Sequence, residues 1–170
     1  MPGENLTRGE ASQRAQRLSI ESYLVQLDVT TDEKTFQSKT TIRFGCSEVG
    51  YESFIDAQTA SVEKIVLNGD ALDPEVFSDN TRITLPGLKS ENELYIEATG
   101  KYSNSGEGLH RFVDPVDNEA YLYTQFEVPD SRRMFPVFEQ PDLKATFEFQ
   151  ITAPSYWKVI SNSSTPELSS

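Results

Sequence analysis

Residues 143–152, LKATFEFQIT, alternate without a break. Leu143, Ala145, Phe147, Phe149 and Ile151 take every second position, with Lys144, Thr146, Glu148, Gln150 and Thr152 between them. Successive side chains of a strand point to opposite faces, so this spacing gathers the apolar residues on one side. A helix of the same sequence would scatter them around its circumference. The segment reads as a strand, and its period of two organises the rest of the chain.

Working outward, Tyr23, Val25, Leu27 and Val29 show the same alternation. In TFQSKTTIRFGC, Phe36, Ile42 and Phe44 share one face, and Gln37, Lys39, Thr41 and Arg43 share the other. Shorter strands are expected around 54–55, 62–67, 82–85, 93–98 and 157–160, and Asn68-Gly69 is a tight-turn signal. Two stretches break the pattern. Thr7 and Glu10 form a capping-box pair, and Ala11, Ala15 and Leu18 follow at helical spacing, which predicts a short amphipathic helix over 8–18. Pro136 and Pro141 punctuate a small turn-helix near 129–138. The expected fold is all-β, an antiparallel sandwich or saddle-like sheet assembly, with a helical lead-in at 1–18 and a β-domain from 19 to 170.

A chain of 170 residues, 36% hydrophobic and 11% aromatic, can bury a core. Its 15 basic and 27 acidic residues give a net charge of -12. A phosphate-binding surface needs clustered basic residues, and Arg132-Arg133 is the lone adjacent arginine pair. Nucleic acid is therefore excluded as a partner, and the acidic surface disfavours anionic membranes. No stretch approaches the ~20 apolar residues that span a bilayer. The first residues, MPGENLTRGEASQRAQRLSIE, lack the apolar centre of a secretory signal, and a single Cys46 makes no internal disulfide. The expected location is cytoplasmic. Glycosylation patterns at Asn5 and Asn162 are then accidental.

Candidate chemistry is sparse. His110 is the one histidine, so a multi-histidine zinc site cannot be assembled from this chain. Cys46 sits in a strand pattern and reads as a structural thiol. Neither a GxSxG elbow nor a phosphate-binding glycine loop occurs. The segment AYLYTQFEVPDSRR stands apart. Ala120, Leu122, Thr124 and Phe126 suit a core, whereas the opposite face presents Tyr121, Tyr123, Gln125 and Glu127. That face is wetter than a core accepts and more aromatic than an ordinary solvent face. It is either a solvated strand face or an edge that offers an amide and a carboxylate to a ligand between tyrosine walls.

Residues 106–154 resemble a known family. GEGLHRFVD is followed by Thr124-Gln125-Phe126-Glu127, Arg132-Arg133, Phe135-Pro136, Phe138-Glu139-Gln140-Pro141 and Leu143-Lys144-Ala145-Thr146-Phe147. In this order they resemble the N-terminal domain of the aminopeptidase N family, with GEGLHRF and FEQPDLKA nearest to actinobacterial members. The resemblance implies a zinc-dependent parent that removes the N-terminal residue from peptides. There a saddle-shaped β-domain precedes a thermolysin-like domain carrying HExxH, a distant glutamate and GxMEN. Neither motif occurs here, so the chain is expected to be truncated before the catalytic domain, with no catalytic residue and no metal ligand of its own. Zinc would belong to the parent. The implied partners are peptides with a free N-terminus and the missing catalytic domain.

The same resemblance assigns Glu127 to the substrate's α-amino group and Gln125 to a polar neighbour in that pocket. The chemistry is apt, because an α-ammonium titrates near ~7.7–8.0 and a facing carboxylate makes a charge-assisted hydrogen bond. Arg132 or Arg133 is expected to pair with an acidic group at the domain junction, and Glu139 to serve a rigid turn. Two rivals stay open: a stand-alone β-sandwich binding module stacking glycans on Trp157 or the tyrosines, and a scaffold relative that has lost catalysis.

Overall fold

The structure, a computed structural model, describes residues 5–127 and 129–164. Residues 1–4 of the expected lead-in and 165–170 of the expected β-domain lie outside the described residues. Along the chain run α1 (Arg8–Arg17), β1 (Leu18–Asp28), β2 (Thr35–Cys46), β3 (Ser53–Asp56), β4 (Ser61–Leu67), β5 (Asp70–Leu72), α2 (Pro74–Phe77), β6 (Arg82–Leu85), β7 (Glu91–Lys101), β8 (Gly108–Val113) and β9 (Ala120–Gln125). A 3₁₀ turn at Ser131–Arg133 and β10 (Thr146–Thr152) follow.

The capping box forms as expected. Thr7 Oγ1 accepts the Glu10 N–H at 3.2 Å, and the Glu10 carboxylate accepts the Thr7 N–H at 2.8 Å. The expected apolar stripe does not form, because Ala15 is exposed and Arg14 is the buried side chain of α1.

Six strands make the main sheet in the order β10-β1-β2-β7-β4-β5. Asn68 and Gly69, both at positive φ, close the β4–β5 hairpin. Alternation sends Tyr23, Val25 and Leu27 of β1 inward, with Phe36, Ile42 and Phe44 of β2 and Leu94 and Ile96 of β7. Against this face packs a second layer made of β3–β6 and the 132–140 segment, joined where Asp56 and Val137 exchange backbone hydrogen bonds. Ile55, Ile83, Leu85, Phe135 and Phe138 complete the core. The arrangement is a β-sandwich, as the alternation implied.

Three expectations need correction. The last strand starts at Thr146, not 143, and it runs parallel to β1 in an otherwise antiparallel sheet. The apolar face of this strand is partly open, with Phe147 47% and Phe149 42% exposed and Phe147 stacked on Tyr23 at 4.6 Å. Residues 157–160 are not a strand. The Trp157 N–H turns back to the Pro154 carbonyl at 2.9 Å, which places this ring against the core.

A buried ionic network ties α1 to the second layer. Arg14 Nη1 donates to Asp56 Oδ2 at 2.8 Å, and Arg14 Nε donates to Gln140 Oε1 at 3.1 Å. Gln140 in turn donates to the Ala11 carbonyl at 2.9 Å. Arg82 binds Glu10 Oε1 at 2.7 Å and faces Asp56 Oδ1 at 3.7 Å. Both guanidinium groups lie over the Phe54 ring, at 4.8 and 4.1 Å.

Burial pushes the Glu10 carboxyl up, but hydrogen bonds from Arg82 and Thr7 outweigh it and hold the group at about 2. A carboxyl lowered by folding stabilises the protein above its ordinary range and loses that contribution as pH falls. Thermal melts should therefore show stability dropping as pH goes from 4.5 toward 2, with a flatter slope for Glu10→Gln. Equal slopes for the two proteins would remove Glu10 as the cause.

Candidate functional site

The tyrosine-bearing strand β9 pairs with β8 in a separate hairpin, with Gly108 opposite Gln125 and His110 opposite Tyr123. Leu122 and Phe126 pack against the core, Phe126 meeting Phe135 edge-on at 6.2 Å. Thr124, expected inward with them, is exposed. On the other face Tyr121, Tyr123, Gln125 and Glu127 are all exposed, so the wet aromatic face is open.

Local bonds give this face its shape. The His110 and Tyr123 rings lie 4.6 Å apart, and His110 Nδ1 accepts the Gly106 N–H at 3.0 Å. Tyr121 donates to Asp117 Oδ2 at 2.9 Å, and that bond pushes its phenol up. Gln125 Oε1 accepts the Glu127 N–H at 2.6 Å, and both residues are exposed. The chain then turns, with the Asp130 N–H bonded to the Glu127 carbonyl at 3.2 Å.

Arg133 meets two acids, Asp130 at 2.7 Å and Glu107 at 3.5 Å. Arg132 is buried, with its N–H on Glu139 and its carbonyl accepting from Gln58, both at 2.8 Å. Glu139 also accepts from Ser131 Oγ, so its carboxylate holds the 3₁₀ turn, as expected for a residue of a rigid turn. Sequence reasoning missed the part of Glu107 and Gly108, although the paired glycines of GEG were a visible signal.

No three or more His, Cys, Asp or Glu side chains among the described residues are grouped to hold a metal ion. No helix among them is long and apolar enough to cross a membrane. Two surface hollows of about 440 and 330 Å³ flank α1, and neither is lined by Gln125 or Glu127. The candidate site is an open edge, one wall rather than a closed pocket. What it can do alone is offer a carboxylate and an amide to a cationic, hydrogen-bond-donating group.

Comparison with known proteins agrees with the motif order. The model of the Peptidase M1 N-terminal domain matches residues 19–169. Aminopeptidase N of Streptomyces lividans is 60% identical over 171 residues, which is 98% of this chain and 20% of that protein. Probable M1 family aminopeptidase 1 of Encephalitozoon cuniculi is 46% identical over 142 residues, covering 69% of this chain and 16% of that one. The structure of native yeast LTA4 hydrolase superimposes with a TM-score of 0.65 at 17% identity, over 81% of this chain and 23% of its own, a likeness of fold. The chain thus spans about a fifth of the length of these relatives. With that family model matching residues 19–169, this chain is a member of the Peptidase M1 N-terminal domain family.

Proposed function

We propose that this chain forms the amine-reading wall of a larger zinc-dependent aminopeptidase, which removes the N-terminal residue from peptides in the cytoplasm. The observation that carries the reading is the open end of β9, where Gln125 and Glu127 are both exposed and the Gln125 side chain is bonded to the Glu127 N–H. An aminopeptidase must measure where its substrate begins, and that end carries an ammonium. A carboxylate facing it sets the distance from the amine to the first peptide bond. Tyr123 stands one strand repeat away as a side wall. In this reading the metal ligands and water-activating groups belong to the catalytic part of the parent, and no acidic, histidine or cysteine side chains among the described residues are grouped to hold a metal.

The test is Glu127→Gln in the full-length enzyme. A charge-assisted hydrogen bond in a partly desolvated site contributes about 1.5–3 kcal/mol, which corresponds to a ten- to hundredfold loss of kcat/KM on aminoacyl reporters. Zinc content and melting temperature should stay as they are. Wild-type kcat/KM in both Glu127→Gln and Glu127→Ala would end the amine-anchor reading.

A further inference from the structure

Arg133 sits where three parts of the candidate site meet. Its Nε donates to Asp130 at 2.7 Å and its Nη2 faces Glu107 at 3.5 Å. Its stem lies over Gly108, where an added Cβ would come 2.7 Å from Arg133 Cβ. Gly108 also has φ +64°, so a side chain there is opposed both by conformation and by space. Each contact is one step from the amine-reading edge. The Asp130 N–H is bonded to the Glu127 carbonyl, Gly108 is the strand partner of Gln125, and Gln125 bonds the Glu127 N–H. A closed circuit therefore runs from Glu127 through Asp130, Arg133, Gly108 and Gln125 back to Glu127.

We infer that Arg133 is a positioning residue that holds the Glu127 carboxylate in place, an inference that rests on the amine-anchor reading above. Glu127 lies two residues past the end of the β8–β9 ladder, so strand pairing does not fix it. The clasp does, by pinning the turn behind it to the start of β8. A half-exposed ion pair adds little to global stability, and the work of this one is local geometry. Arginine suits the task because its planar fork offers separate edges to two carboxylates, which a lysine ammonium does not.

The experiment uses the full-length enzyme with Arg133→Gln and Arg133→Lys, read by kinetics on an aminoacyl reporter and by amide hydrogen exchange. Misplacement by a full ångström costs about a hundredfold, so partial loosening should lower kcat/KM by roughly tenfold in Arg133→Gln. Exchange at the Asp130 amide should quicken while the melting temperature holds, and Arg133→Lys should recover part of the loss. In a Glu127→Gln background, Arg133→Gln should cost nothing further, because it acts through that carboxylate. The same loss in both backgrounds, or unchanged Asp130 exchange, would overturn the inference. If exchange quickens but Glu127→Gln alone keeps wild-type kcat/KM, the clasp stands and the amine-anchor reading falls.

Discussion

Asp56→Ala should destabilise the chain by about 3–5 kcal/mol, the range for removing one partner of a buried ion pair. The reason lies in what is left behind. Arg14 is fully buried, and Asp56 Oδ2 is the acidic group within its reach, at 2.8 Å. The Glu139 N–H also loses that acceptor, at 3.2 Å. For a chain of this size each kcal/mol shifts the midpoint by ~2–4 °C, so melting should fall by roughly 6–20 °C. Asp56→Asn should cost less, since it keeps an acceptor oxygen of the same shape. Replacing Arg14 and Asp56 together by methionine and leucine should recover most of the loss, because no unpaired charge remains. A urea-melt difference below about 1 kcal/mol for Asp56→Ala would mean the guanidinium finds water or another partner.

Phe36→Ala should cost a similar ~3–5 kcal/mol, as for other buried phenylalanines. Phe36 is fully buried, tilts against Tyr102 at 5.1 Å, and lies directly across the β2–β7 ladder from Gly100. The glycine is what admits the ring, since a methyl group at Gly100 would meet Phe36 Cε2 at 2.5 Å. Gly100→Ala alone should therefore destabilise by about 1–3 kcal/mol through overpacking. With Phe36→Ala already present the sign should reverse. The space is then free, and alanine in a strand interior is better than glycine by roughly 0.5–1 kcal/mol. A double-mutant cycle by urea denaturation reads this coupling directly. Additive effects would show that ring and glycine are independent.

The β-sandwich could be read from the sequence because strand alternation and the Thr7–Glu10 cap are local, needing only neighbours along the chain. What could not be read depends on partners far away. Nothing local marks Arg14 as buried, and its ion pair with Asp56, 42 residues on, is what places the charge in the core. Alternation in 143–152 identified which side chains share a face but not whether anything covers it, and Phe147 and Phe149 stand half-open. Residues 157–160 carry strand-like composition but have no ladder to join. At the candidate site the alternation placed Tyr121, Tyr123, Gln125 and Glu127 together on an open face. It could not show the Gln125 side chain accepting the Glu127 N–H, or the two carboxylates that Arg133 meets. One of them, Glu107, lies in another loop.

The parallel pairing of β1 with β10 has a consequence for synthesis on the ribosome. Gln26 and Gln150, hydrogen-bonded across this pair, are 124 residues apart in the chain. At about 5–20 residues per second, β1 emerges roughly 6–25 s before the strand that will flank it. Its other side is taken early by β2, but this one waits with bare N–H and C=O groups, an open template for any other extended chain. The ordering of the sheet thus makes closure of β10 onto β1 a late, long-range event, and sets the interval in which a nascent chain is most exposed to joining the wrong neighbour.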